Sequence, residues 1–252
     1  MILCLDAGNS RLKWGLRESD GWHAQGALDH LQIGELAGAL PARPCRIVAC
    51  NVAGEKMAAQ IEALAISLAV PLDWLRSGAS AGGVVNGYDN PAQLGADRWA
   101  ALIGARGLHA GAALVVMAGT ATTVDCLDAQ GVFRGGLILP GLDLMRLSLA
   151  RNTAGLPEAC GGYRLLPTNT DDAIVSGCIA ATVGAVERMA KQACRPHVGS
   201  ECAEGGLRRP ATADFLCLLS GGAADVLAPH LELPLRLIDN LVLEGLARLA
   251  TS

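Results

Sequence analysis

The sequence predicts an α/β protein built as two lobes of related design. Three observations lead there. An order of three β-like segments followed by alternating helix and strand occurs twice along the chain. The first tight turn of each run can be laid over the other, Leu5-Asp6-Ala7-Gly8-Asn9-Ser10 on Val116-Met117-Ala118-Gly119-Thr120-Ala121. The length, 252 residues, suits two domains of ordinary size, with a boundary expected near residue 110.

The first run opens with β-like segments at 1–7, 11–17 and 22–28, and Gly8-Asn9 supplies the turn signal between the first two. A weak helix at 30–40, an apolar strand at 45–52, a periodic helix at 55–69 and a short strand at 72–75 follow. Residues 77–88, rich in Gly, Ala and Ser, read as a loop. Asn90-Pro91-Ala92-Gln93 reads as a helix start, with Asn90 capping, Pro91 in the first position and Gln93 reaching back, and that helix is expected to run to Leu108. The second run has strands at 112–117, 122–127 and 132–139 and helices at 142–151 and 170–194. A Gly/Arg/Pro-rich stretch at 197–211 reads as an exposed loop. A strand at 215–219, a helix near 223–227, a strand at 233–238 and a last helix from Asn240 complete the chain. The lobes are thus 1–110 and 111–252, and the C-terminal helix is a candidate to pack back on the first.

Composition narrows the function classes. A 51% apolar content excludes disorder, and a net charge of −4 without basic clusters argues against nucleic acid or a membrane surface as partner. Nine cysteines form no CxxC pair, and their odd number sits mostly in apolar runs, so reduced thiols acting as small hydrophobes are expected. Asp6 interrupts the apolar N-terminus, so no secretory signal is expected. The longest uncharged run, 107–124, is dotted with Gly and Thr and reads as helix end, turn and strand rather than a membrane span.

Asp6-Ala7-Gly8-Asn9-Ser10 at a strand–turn–strand corner has phosphate-binding chemistry. A bare Gly8 lets the backbone approach a ligand, the amides and hydroxyl of Asn9 and Ser10 can meet phosphate oxygens, and Lys13 adds positive charge. Asp6 can hold Mg²⁺ through water. The alternative is a polar hairpin turn with Asp6 bonded to its local backbone. Gly119-Thr120-Ala121-Thr122-Thr123 repeats the chemistry, and two such turns together suggest a nucleoside triphosphate held between lobes. Gly221-Gly222-Ala223 is either a third approach to that nucleotide or a simple strand-to-helix turn. In Gly95-Ala96-Asp97-Arg98, Asp97 falls on the apolar stripe of Leu94, Ala101, Leu102, Ala105 and Leu108. A carboxylate there is either ion-paired to Arg98 or lines a cleft as a general base with a carboxylate-binding arginine beside it. Phosphoryl transfer needs little beyond such positioning and charge neutralisation.

Other matches fail. Gly78-Ala79-Ser80-Ala81-Gly82 fits GxSxG but does not lead into a helix. No GxG pair, Walker loop or HExxH is present, and the five histidines are scattered. Trp14, Trp22, Trp74 and Trp99 read as core or interface residues.

Taken in order, Asp6–Ser10, Tyr88-Asp89-Asn90-Pro91, Gly95–Arg98, Gly119–Thr123, Gly135-Gly136-Leu137-Ile138-Leu139-Pro140-Gly141, Asn169-Thr170 and the 241–249 segment resemble the type III pantothenate kinases nearly end to end. The resemblance implies a ribonuclease-H-like (actin-like ATPase) topology, mixed sheets flanked by helices, in a cytoplasmic homodimer. It implies phosphorylation of pantothenate by ATP with Mg²⁺, the first step of coenzyme A synthesis. It assigns Asp6, Ala7, Gly8, Asn9, Ser10, Arg11, Leu12, Lys13 and Thr120 to ATP. Tyr88, Gly95, Ala96, Asp97, Arg98 and Thr170 are assigned to pantothenate, with Asp97 as proton acceptor and Thr170 at the dimer interface. Read physically, Thr170 is equally an N-cap before Asp171 and Asp172. Two departures stand out. Ser10 replaces the usual Thr, and Met117 stands where many members carry an Asp that binds a monovalent cation such as K⁺ or NH₄⁺; a thioether is a poor ligand for a hard cation. The competing expectations are a kinase for another small hydroxy acid, and a nucleotide-binding regulatory accessory protein without kinase activity.

Overall fold

A computed structural model describes residues 1–19, 21–193 and 215–250; the expected loop at 197–211, Cys194 and Cys202 lie outside the described residues. The chain divides into two compact units, one of residues 1–110, 131–133 and 240–252, the other of 111–130 and 134–239.

The first unit is built on β1 (Ile2–Ala7), β2 (Leu12–Arg17), β3 (Trp22–Leu28), β4 (Arg46–Asn51) and β5 (Leu72–Trp74), in the order β3-β2-β1-β4-β5. β1 runs antiparallel to β2 and parallel to β4. Successive side chains of a strand point to opposite faces. Leu3, Leu5 and Ala7 therefore join Leu12, Leu16, Ile47 and Ala49 in one core, covered by Met57, Ile61 and Leu64 of α2 (Glu55–Leu68). Cys4, Asp6, Val48 and Cys50 take the opposite face. The tryptophans explain two strand glycines: a Cβ on Gly15 would stand 2.6 Å from the Trp22 ring, and one on Gly26 2.8 Å from that of Trp14. Trp99 is fully buried.

Several local expectations are corrected. Residues 30–40 form a 3₁₀ helix, His30–Glu35, and only one α-turn, α1 (Leu36–Ala39). The stretch 77–88 is not all loop: β6 (Ser80–Ala81) and β7 (Val84–Asn86) form a small hairpin, to which Val132 and Phe133 pair in parallel. The helix expected from Asn90 breaks. Pro91–Gln93 is a 3₁₀ turn capped by the Asn90 side chain on the Ala92 amide rather than by a Gln93 box, the chain is extended at Leu94 and Gly95, and α3 begins afresh as Ala96–Leu108. The interruption puts Asp97 in the first turn of α3. Leu108, expected on the buried stripe, is exposed, and Leu94 is buried outside the helix.

α3 is held by α7 (Leu241–Ala250), the last described helix. Their backbones touch at two glycines: a Cβ on Gly245 would stand 1.9 Å from the Ala100 carbonyl oxygen, and one on Gly104 2.4 Å from that of Leu241.

The second unit repeats the plan. β8 (Ala113–Ala118), β9 (Ala121–Leu127), β10 (Val132–Pro140), β11 (Leu216–Ser220) and β12 (Leu235–Leu237) take the order β10-β9-β8-β11-β12, which matches the first sheet strand for strand. α4 (Leu142–Asn152), α5 (Thr170–Ala193) and α6 (Ala224–Leu227) complete it. α5 is long and apolar enough to cross a membrane by length and composition, yet its Ile179, Val186 and Ala190 sit in the core with Leu114, Val116 and Leu219. All seven described cysteines are free. Cys4, Cys50, Cys178 and Cys217 are buried as expected, whereas Cys45 and Cys160 are exposed.

Candidate active site

The strand registers place Lys13 opposite Asp6 on one side and Cys50 opposite it on the other. Directly paired residues share a sheet face, so the three side chains form a row. Asp6 is 8% exposed. Its carboxylate accepts a hydrogen bond from the Cys50 thiol at 3.5 Å, and it is not tied to the local backbone as the hairpin alternative required. Burial pushes its pKa from 3.8 up to about 6; Lys13 opposes that rise and the negative charge of Asp97 adds to it. The thiol of Cys50, buried beside the same two carboxylates, is pushed well above its ordinary value and stays a neutral donor. The next residues form an open corner in which Gly8 N–H donates to Arg11 O at 3.2 Å. Asn9, Ser10 and Arg11 are exposed, while Ala7 and Leu12 are fully buried in the core that flanks the corner.

Asp97 stands in the first turn of α3, close enough for its negative charge to raise the pKa of both Asp6 and Cys50. Its Oδ1 accepts from the Arg98 amide at 2.8 Å, a bond the helix start favours. A Cβ on Gly95 would stand 2.7 Å from that oxygen, so the glycine makes room for the carboxylate. Arg98, 5% exposed, donates from Nη1 to Tyr88 Oη at 2.8 Å. Its guanidinium lies 5.6 Å from the Tyr88 ring centre and 5.7 Å from that of Phe133, and the two rings are 5.2 Å apart. Such a cage fixes the cation's direction and is worth about 1–2 kcal/mol when desolvated. Asp97, Arg98 and Tyr88 therefore lie together, with Gly95 and Ala96 in the same turn.

In the second unit the Gly119-Thr120 corner is exposed and backed by two glycine contacts. A Cβ on Gly141 would stand 2.2 Å from Gly119 O, and Gly141 N–H donates to Thr120 O at 2.9 Å. Gly221, at φ +106°, packs its backbone against Ala118, and Ala223 N–H donates to Ala118 O. Gly221 thus serves the packing of the corner. Met117 is half-buried, opposite Thr123 and beside Ser220, whereas Asp125 is fully buried two pairs further along, opposite Val115. The side chain at 117 supplies no oxygen ligand. Thr170 is not the cap of α5: Asn169 Oδ1 accepts from Asp172 N–H at 2.9 Å, which leaves the exposed Thr170 hydroxyl outside the cap.

The type III pantothenate kinase description matches residues 2–192. A type III pantothenate kinase of Aromatoleum aromaticum is 52% identical over 99% of this chain and 98% of its own, and one of an Azoarcus species is 48% identical over 100% and 91%. This chain belongs to the type III pantothenate kinase family. Solved structures agree on its fold. A Campylobacter jejuni protein described as a Baf family transcriptional activator superposes with a TM-score of 0.62 at 19% identity, over 99% of this chain and 97% of its own. A protein described as a 2-dehydro-3-deoxygalactonokinase of Sinorhizobium meliloti gives 0.56 at 16%, over 99% and 98%. Two-lobed α/β architecture of the actin-like ATPase and sugar kinase type is thereby established for this family member.

Sequence reasoning missed Cys50 and Phe133 at these corners. Each is brought in by register or by a long-range contact, and neither carries a motif.

Proposed function

We propose that this chain transfers the γ-phosphoryl group of ATP to the primary hydroxyl of pantothenate, giving 4′-phosphopantothenate and ADP, the entry step to coenzyme A. Family membership supplies the reaction class. The observation that carries the site is the pairing within one unit of a buried strand-end carboxylate, Asp6, with a helix-start carboxylate, Asp97, beside the caged Arg98.

On this reading Asp97 accepts the hydroxyl proton as the oxygen–phosphorus bond forms, and ADP leaves with the former bridging oxygen. Arg98 binds the pantothenate carboxylate, with Tyr88 orienting the guanidinium and Thr170 adding a contact. Gly95 and Ala96 line the turn, and Gly95 keeps Asp97 in place. The segment from Asp6 to Lys13 (Asp6, Ala7, Gly8, Asn9, Ser10, Arg11, Leu12, Lys13) holds ATP phosphates, and Thr120 is given the same role.

The residues at Asp6 fit Mg²⁺: a buried carboxylate held costly in its charged form is relieved by a hard cation. Among the described residues no three metal-ligating side chains come together. Asp6 would hold Mg²⁺ through water. The ion would supply charge neutralisation to the phosphates. The residues at 117 do not fit a monovalent cation, and no step is assigned to one.

A cytoplasmic homodimer completes the proposal. Ile138, Leu165 and Leu166 of the second unit expose 65%, 84% and 85% of their surface, and nothing stands within 4 Å of where a Cβ on Gly177 or Gly184 of α5 would lie. Apolar surface of this kind supports burial against a second copy; light scattering reads it directly. The deciding experiment is pantothenate-dependent ADP formation with Mg²⁺. Release of ADP with no dependence on pantothenate, or ATP binding without turnover, would reject the proposal.

A further inference from the structure

The corner assigned to ATP phosphates has a support that no motif contains. β3 ends where Leu28 pairs with Leu12, and the chain then passes Asp29 into the 3₁₀ helix, which carries His30 back beside residues 8–11. The imidazole Nε2 lies 2.9 Å from Gly8 O. A carbonyl only accepts, so the ring nitrogen is the donor and His30 holds its proton on Nε2. Asp29 lies 3.9 Å from the Arg11 guanidinium across the same corner.

We infer that His30 is a positioning residue for ATP, locking the Gly8–Asn9 peptide plane so that the Asn9 N–H points to the phosphates. The inference rests on the phosphate reading of this corner given above. A trans peptide is planar, with its C=O and N–H pointing in opposite directions. Fixing Gly8 O on His30 therefore aims the Asn9 N–H the other way. The neighbouring groups are already used: Ala7 O accepts from Val52 N–H at 3.0 Å and Gly8 N–H donates to Arg11 O. The Asn9 N–H has no partner among the described residues, and Asn9 is exposed. Glycine flips cheaply, and a flip at Gly8 would turn a carbonyl oxygen toward an anion. The imidazole bond is what opposes that flip.

The test compares His30→Ala and His30→Gln with the parent in calorimetric binding of MgATP and of adenosine, with KM and kcat for both substrates. A glutamine amide can donate in place of Nε2. Loss of one hydrogen bond predicts MgATP affinity weaker by roughly 3- to 10-fold in His30→Ala. Adenosine affinity, pantothenate KM and kcat should hold, and His30→Gln should recover most of the loss. Unchanged MgATP affinity in His30→Ala, equal loss in the glutamine variant, or equal weakening of adenosine would overturn the inference. Gly8→Ala, whose Cβ would meet only Arg11 O at an ordinary 3.5 Å, serves as the control for the corner itself. If it weakens MgATP and His30→Ala does not, only the role of His30 falls. If neither does, the phosphate reading of the corner falls with it.

Discussion

Replacing Asp6 with asparagine is expected to stabilise the protein at pH 8 while removing its activity. The folded protein holds the Asp6 carboxyl at about 6 instead of 3.8, chiefly because its charge is buried. A carboxyl with a raised folded pKa binds its proton more tightly when folded. Its stabilising contribution is complete below the unfolded value and is lost as pH rises through the folded one. Two pH units correspond to about 3 kcal/mol of strain carried at pH 8 by the ionised side chain, and about half of that at pH 5. Asparagine fills the same space, can accept from the Cys50 thiol and carries no charge. In EDTA at pH 8 the variant should melt higher by about 6–12 °C, by the conversion for a chain of this size. The gap should shrink toward zero near pH 4, and MgATP should narrow it by stabilising the parent alone. Differential scanning fluorimetry across pH reads all three. A variant less stable than the parent at pH 8, or a gap that does not change with pH, would refute the reasoning.

The other predictions are more local. Asp97→Asn should fold and bind ATP but lose about 10²- to 10⁴-fold in kcat, measured by coupled ADP release. Gly95→Ala should push the Asp97 carboxylate aside, because the new Cβ would stand 2.7 Å from Oδ1, so kcat should fall while the melting temperature barely moves. Gly245→Ala should lose about 1–2 kcal/mol in urea unfolding: its Cβ would meet the Ala100 carbonyl at 1.9 Å, a clash only partly offset by about 1 kcal/mol of helix propensity. With methionine at 117, activity should be similar in Na⁺ and K⁺ buffers; a large, specific K⁺ requirement would show that other residues build the cation site.

Much of this molecule was legible in its sequence because local patterns and tertiary needs agree. β1 alternates Leu3, Leu5, Ala7 with Cys4 and Asp6, and both faces are buried, so its strand character is unambiguous. The twofold element order reappears as one strand order used twice. Failures fall where a local signal is genuine but short. Asn90 and Pro91 do start a helical turn, but Gly95 must stay extended for Asp97 to stand at a helix start, so one expected helix becomes two. Residues 80–86 form a very short hairpin, and its second strand is extended into the sheet by Val132 and Phe133, far along the chain. At the site, Asp6, Asp97 and Arg98 could be picked out as charges on apolar patterns. Cys50 and His30 could not: one depends on parallel register with β1, the other on where a 3₁₀ helix turns back.

The glycine crossing of α3 and α7 bears on how the polypeptide matures as it is synthesised. The helix carrying Asp97 emerges from the ribosome well before residues 241–250 exist to cover it. Domains ordinarily complete themselves from the N-terminus as they are translated. Here residues 1–110 lack that cover as they emerge, and the helix carrying Asp97 gains its backing only when residues 241–250 arrive.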